Sequence, residues 1–162
     1  MRTIFLILII FFIYAQKHAY TEPKIIKKIS EIENFTFDFE QLINDKKETG
    51  NCIISFNNKM MCKYDETGKL IVSNGKTLLI KNKSSNFANT YKTENTYFKY
   101  FLNKEFLISK IVGNVVEKEQ NFLLSINDRS NRLNIFFDKK NYLIKGWETI
   151  DSVSYTHLRA HE

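Results

Sequence analysis

The chain has 162 residues, is 14% aromatic with a single proline, and carries a formal charge of +6. That composition is too rich in aromatic and β-branched residues for a disordered segment, and the length fits one ordinary domain rather than several. The basic charge alone would admit nucleic-acid binding, but the lysines fall beside acids or at strand ends and the chain opens like an exported one, which argues against that class.

Arg2 is followed by an unbroken apolar run from Ile4 to Tyr14 and then by small residues, the pattern of a secretory signal. The run is 11 residues long, short of the ~20 that span a bilayer, so removal is expected rather than retention as an anchor. Residues 1–19 are therefore read as a signal peptide, with Ala15 and Ala19 as cleavage candidates. At the other end, residues 153–162 match the translated read-through of a transposase sequencing adapter. They are read as foreign to a domain that spans residues 20–152 and continues beyond what is seen. His18, His157 and His161 all lie in these two ends, so the domain itself contains no histidine. Setting aside Arg2, Lys17, Arg159 and Glu162 with those ends takes the formal charge from +6 to +4.

Within the domain, Thr21-Glu22-Pro23 has the character of a helix start, and Ile25, Ile26, Ile29 and Ile32 then recur at helical spacing opposite Lys24, Lys27, Lys28 and Glu31. This predicts an amphipathic helix of about three turns. From Asn34 the period changes to two: Phe35, Phe37 and Phe39 alternate with Thr36, Asp38 and Glu40, predicting a strand with one aromatic face. A turn at Asn44 to Lys47 leads to a strand from Thr49 to Phe56, and Asn57-Asn58 separates it from another, Lys59 to Asp65. Thr67-Gly68 and Asn74-Gly75 bracket Leu70 to Val72, with Thr77 to Lys81 following. Residues 82–95 are polar and predict a loop with one short strand near Thr90. Tyr97 to Ile108 then favours short helical turns. Strands resume at Val115 to Gln120, Asn121 to Ile126, Arg132 to Phe137 and Tyr142 to Ile150, with turns at Asn127-Asp128 and Lys139-Lys140. The expected fold is mainly β with helices: a strongly curved antiparallel sheet of eight or more strands whose helices cover the apolar face.

Catalytic chemistry is hard to assemble from these residues. A serine or cysteine nucleophile would need a lysine or carboxylate as its base, a Ser–Lys pair involving Ser125 being the feature to look for. Asp38 and Glu40 alternate with the phenylalanines and so point away from them. Asn74-Gly75-Lys76-Thr77 lacks the upstream glycine of a phosphate loop and reads as a hairpin turn. Two cysteines without histidine do not make a zinc site, and no cofactor is indicated. Cys52 and Cys62 flank the Asn57-Asn58 turn almost symmetrically. A cross-strand disulfide needs a bulge or a three-residue loop there; otherwise both are buried thiols.

Two strings carry a family resemblance. Ile29 to Gln41, ISEIENFTFDFEQ, and Leu70 to Ile80, LIVSNGKTLLI, resemble the helix end with aromatic first strand and the Ser-Asn-Gly-Lys-Thr hairpin of the LolA family of periplasmic lipoprotein carriers. The resemblance implies an incomplete β-barrel with a helical lid over an apolar cavity. It further implies a non-enzymatic carrier that moves acylated lipoproteins from an inner-membrane ABC transporter to an outer-membrane receptor, as a monomer in the periplasm. The physical purpose of such a cavity is to keep acyl chains out of water, since a chain of ~15 methylenes at ~0.8 kcal/mol each costs about 12 kcal/mol to leave exposed. On this reading Phe35, Phe37, Phe39, Ile54, Phe56, Met60, Tyr64, Ile71 and Leu78 line the wall, while Ile25, Ile29, Phe98, Phe101 and Leu102 form the lid. Trp147 fits either the lining or a sheet edge. The sequence departs from the family at Phe56-Asn57-Asn58-Lys59, where members carry an Arg-Pro turn whose arginine holds the lid shut; Lys59 offers a point charge there without the planar fork. A related barrel acting as an envelope lipid or lipoprotein sensor is the alternative expectation.

Overall fold

The computed structural model describes residues 21–43, 46–128, 131–150 and 155–161. The expected signal peptide, residues 1–19, lies outside them.

Helix α1 (residues 21–31) buries Ile25 and Ile29 completely, so the helical spacing of the isoleucines is the face that packs. Eleven strands follow in one antiparallel sheet: β1 (Asn34–Ile43), β2 (Lys46–Ser55), β3 (Lys59–Tyr64), β4 (Leu70–Ser73), β5 (Thr77–Lys81) and β6 (Ala88–Lys92), then β7 (Val115–Glu117), β8 (Asn121–Asp128), β9 (Asn131–Asp138), β10 (Ile144–Ile150) and β11 (Tyr155–His161). Between β6 and β7 the chain makes a 3-10 turn (Thr93–Asn95) and two short helices, α2 (Phe98–Leu102) and α3 (Lys104–Ile111). Across the sheet the strands run β6-β5-β4-β3-β2-β1-β11-β10-β9-β8-β7, with β6 and β7 at its two edges. The sheet curves but does not close, and the result is an incomplete barrel with helices on its concave face.

Alternation fixes which face is which. In β1 the buried positions are Phe35, Phe37, Phe39 and Gln41, and in β3 they are Met60, Cys62 and Tyr64. Each strand thus turns one parity of its residues toward a shared interior. Cys52 and Cys62 face each other directly and are disulfide-bonded, which pins the β2–β3 register. The connection that permits this is the three-residue loop Phe56-Asn57-Asn58, with Ser55 paired to Lys59 and Asn58 at φ 71°. A two-residue turn would have set the cysteines one position apart. At the next hairpin Gly75 takes φ 89°, and the Asn74 side chain accepts from the backbone N–H groups of Lys76 and Thr77, so the Gly-Lys-Thr string is a side-chain-capped turn.

Several element boundaries differ from expectation. β2 begins at Lys46, inside the expected turn, because Ile43 pairs with Lys46 and only residues 44–45, which are not described, connect them. Asn127 and Asp128 are strand, pairing with Arg132 and Asn131, so the turn expected at these two residues is not there. β7 stops at Glu117, three residues short of the expected strand end.

Residues 155–161, expected from the sequence to be foreign to the domain, form β11 and lie antiparallel to both β1 and β10. Strand addition is driven by backbone hydrogen bonds between open edges and asks little of the added sequence, so this pairing is indifferent to the origin of the segment.

Gly50 sits on β2 directly opposite Phe39. A Cβ there would run into the carbonyl oxygen of Lys63 and lie 2.6 Å from the Phe39 ring, so the aromatic face of β1 depends on a bare backbone at this point. Gly50→Ala is expected to cost about 3 kcal/mol, since a fixed backbone and a buried ring must both move. Urea denaturation reads this directly, and an unchanged midpoint would refute the packing.

Candidate functional site

The interior is built from the concave face of the sheet and the helices laid over it. Phe35, Phe37 and Phe39 of β1, Ile54 of β2, Met60 and Tyr64 of β3, Ile71 of β4 and Leu78 of β5 are all buried in one apolar cluster. Ile25, Ile29, Phe101 and Leu102 belong to the same cluster from the helical side. The structure therefore brings the sequence-predicted wall and lid together, apart from Phe56 and Phe98. Phe56 lies in the β2–β3 loop, half-buried, with the Lys104 ammonium 5.2 Å from its ring. Phe98 is half-buried at the start of α2 and packs on the cluster from its margin.

Trp147 joins the two halves of the interior. It lies on β10, inside the sheet rather than at its edge, and is 6% exposed. Its ring meets Phe37 edge-on at 5.9 Å and Phe101 at 4.5 Å. One aromatic contact series thus runs from the wall, through Trp147, to helix α2. Tyr100, Leu107 and Ile111 add buried surface on the helical side, and Leu124, Leu133, Ile135 and Phe137 complete the far wall.

Several polar contacts lie at the margin of this interior. The β2–β3 loop forms a backbone bridge to the segment between α2 and α3 through Asn57 and Asn103. Lys104 donates to the carbonyl of Ser30 at 3.1 Å, tying α3 to α1. Glu22 of α1 accepts from the backbone N–H groups of Gly113 and Val115 at 2.9 and 3.2 Å. Lys59 takes no part: it shares the exposed side of β3 with Met61 and Lys63 and points away from the helices. The point charge expected to act on the lid is thus misplaced, because alternation along β3 gives Lys59 the parity opposite to the interior residue Met60. A cleft of about 430 Å³ opens beside α2 and α3, where Lys99, Tyr100, Phe106 and Lys110 face Ile126 and Asn127 of β8.

Polar groups also enter the interior: the buried Ser73 and Thr93 hydroxyls lie 3.2 Å apart, and a second cluster surrounds Tyr64. Gln41 and Glu48 are cross-strand partners on the buried faces of β1 and β2, and the Tyr64 hydroxyl donates to Gln41 Oε1 at 2.6 Å. Glu48 is held by Lys69 at 2.8 Å, and the same ammonium lies 3.7 Å from the Tyr64 ring centre. The parity of Phe35, Phe37 and Phe39 continues to Gln41, so alternation carried the signal for this cluster. Burial, together with the nearby Glu48 carboxylate, pushes the Tyr64 phenol well above its ordinary value. The folded state then keeps the proton while the unfolded chain begins to lose it near pH 10, so stability falls as pH rises above about 10, by up to about 1.4 kcal/mol per pH unit. Tyr64→Phe should flatten that slope, while lowering stability at neutral pH by about 1 kcal/mol through the lost bond to Gln41. Equilibrium unfolding between pH 8 and 11 reports both effects.

Ser125 is exposed and donates to Asn134 Oδ1 at 2.8 Å. Among the described residues no cluster of three or more histidine, cysteine, aspartate or glutamate side chains is arranged to hold a metal.

An open, curved sheet with an apolar concave face under short helices defines an incomplete barrel. The family described as "Outer membrane lipoprotein carrier protein LolA" matches residues 30–158, and the chain belongs to it. Among solved structures the chain is similar to a LolA superfamily protein, NE2245, from Nitrosomonas europaea, at 11% identity and a TM-score of 0.44, covering 88% of this chain and 92% of that one. LprF from Mycobacterium bovis is similar at 6% identity and a TM-score of 0.45, covering 91% and 92% respectively. A DUF1329 family protein from Desulfovibrio piger is similar at 5% identity and 0.43, covering 88% and 90%. No curated protein matches the sequence.

Proposed function

We propose that this protein is an exported carrier that shelters the acyl chains of lipoproteins in the interior beneath α1, α2 and α3. On this reading it works in the periplasm as a monomer, without a cofactor. It receives its cargo from an inner-membrane lipoprotein-releasing ABC transporter and passes it to an outer-membrane receptor.

The observation that carries this reading is the Phe37–Trp147–Phe101 series, an apolar contact at the centre of the seam between the sheet and its helical cover. Opening the cover for an acyl chain exchanges one apolar contact for another. Only the marginal hydrogen bonds are lost outright, at about 1 kcal/mol each. Against this stands about 12 kcal/mol for sheltering one chain from water. The exchange is favourable and reversible, which is what a carrier requires and what a permanently sealed core would not provide. Carriage of this kind needs no reacting group.

Trp147 is the chain's single tryptophan and is its own reporter. The chain from Tyr20 to Glu162, which carries every helix and strand described, is titrated with a bromine-labelled fatty acid while tryptophan emission is followed. Saturable quenching at one site, competed by a diacylated lipopeptide, is the expected result. A folded protein whose emission does not change at saturating ligand would overturn the proposal.

A further inference from the structure

We propose that the convex face of β3, β4 and β5 docks on an anionic lipid bilayer, a binding surface separate from the interior. The sheet register arranges this face in rows. Ile53, Met61, Val72 and Leu79 are successive cross-strand partners on four adjacent strands and form one outward apolar row. In the next row Lys63 and Lys81 flank Leu70, and Lys59 precedes Met61 by two residues on β3. Ile53 is 39% exposed and Met61 47%. No outward position of β3, β4 or β5 carries an acid. The acids that follow β3, Asp65 and Glu66, are bound to Thr49 at the strand's end. At the same end of the β5–β6 hairpin as Lys81 stands Phe87, 83% exposed, in a loop held by hydrogen bonds in both directions between Ser85 and Phe87.

Interleaved ammonium groups and apolar side chains suit a surface that is itself anionic above and apolar below. Lysine stems can lie along the apolar row while their heads meet lipid phosphates, and an exposed phenylalanine at the margin suits the depth between headgroup and acyl chain. A second copy of this chain is the wrong partner, because a two-fold pairing of the face would set lysine against lysine.

The test is co-sedimentation of the chain from Tyr20 with vesicles of phosphatidylcholine, with or without phosphatidylglycerol. Binding is expected only to the anionic vesicles and should weaken with salt. Each lysine near such a surface contributes about fivefold in affinity, so Lys59→Gln, Lys63→Gln and Lys81→Gln together should weaken binding ~100-fold. Met61→Ser with Phe87→Ser should weaken it further at fixed charge. The same charge removed elsewhere, by Lys27→Gln, Lys118→Gln and Lys140→Gln, should leave binding unchanged. Absence of binding to anionic vesicles overturns the proposal, and so does equal weakening by the two lysine sets. Binding indifferent to Met61 and Phe87 also overturns it, since that would mark attraction to any polyanion, an acidic protein included. Quenching of Trp147 by bromine-labelled fatty acid, run on the same variants, keeps failure of this surface distinct from failure of the interior site.

Discussion

Phe37→Asp is expected to unfold the domain. Phe37 is 2% exposed, stacks on Phe35 at 4.8 Å and touches Trp147, so it sits where wall and cover meet. Loss of a buried phenylalanine costs about 3–5 kcal/mol by itself. A carboxylate in its place adds a further penalty of a few kcal/mol, because its aromatic neighbours Phe35 and Trp147 offer the charge no cation. The sum is comparable to the whole stability of a domain this size, about 5–15 kcal/mol. Far-UV circular dichroism and the emission maximum of Trp147 read the outcome: both should report an unfolded chain at neutral pH. Partial refolding on acidification, as the aspartate is neutralised, would accord with the same cause. A variant that melts like the parent would mean that Phe37 does not occupy the interior.

The second large effect concerns β11. Among the described residues, the backbone ladders between β6-β5-β4-β3-β2-β1 and β10-β9-β8-β7 all run through this one strand. It pairs with residues 38–43 of β1 on one side and with residues 146–150 of β10 on the other. A chain ending at Ser152 loses both ladders, and at about 1 kcal/mol for each net hydrogen bond the loss is on the order of 5–10 kcal/mol. The gap does not heal by simple closure, because β1 and β10 are each antiparallel to β11 and therefore parallel to each other. The expected result is loss of a cooperative unfolding transition, with association through the bared edges visible by size-exclusion chromatography. Supplying residues 153–162 as a separate peptide should restore the monomer. If an unrelated strand-forming peptide restores it equally, the slot and not the sequence is what the fold requires. Full stability in the shortened chain would refute β11 as the link.

How far the sequence discloses this arrangement can be followed residue by residue. Phe35, Phe37 and Phe39 announce both a strand and its buried face, since strict alternation has one meaning when one side is aromatic. Ile25 and Ile29 do the same for α1. The limits lie where a result depends on distant partners. Trp147 is ambiguous in the sequence between lining and edge, because the neighbour that makes β10 an interior strand, β11, falls in the segment expected from the sequence to be foreign to the domain. Lys59 is suggested as a lid contact by its place in the chain, whereas the parity of β3 turns it outward. The contacts that do hold the cover, Asn57 with Asn103 and Lys104 with Ser30, join segments far apart in the chain and leave no local pattern. Gln41, Glu48 and Tyr64 are legible in part: each has inward parity, yet only the register that makes Gln41 and Glu48 partners shows why polar groups are tolerated there.

The bore of a closed barrel is settled by its number of strands and their stagger, and no ligand can alter it without breaking ladders. With β6 and β7 unjoined, the interior of this protein has no such fixed circumference. Small changes of twist spread over eleven strands can widen or narrow the enclosed space while every backbone pair stays intact. Girth becomes an elastic property of the sheet, so on the proposed carrier reading apolar cargoes of different size share one interior without a separate pocket for each.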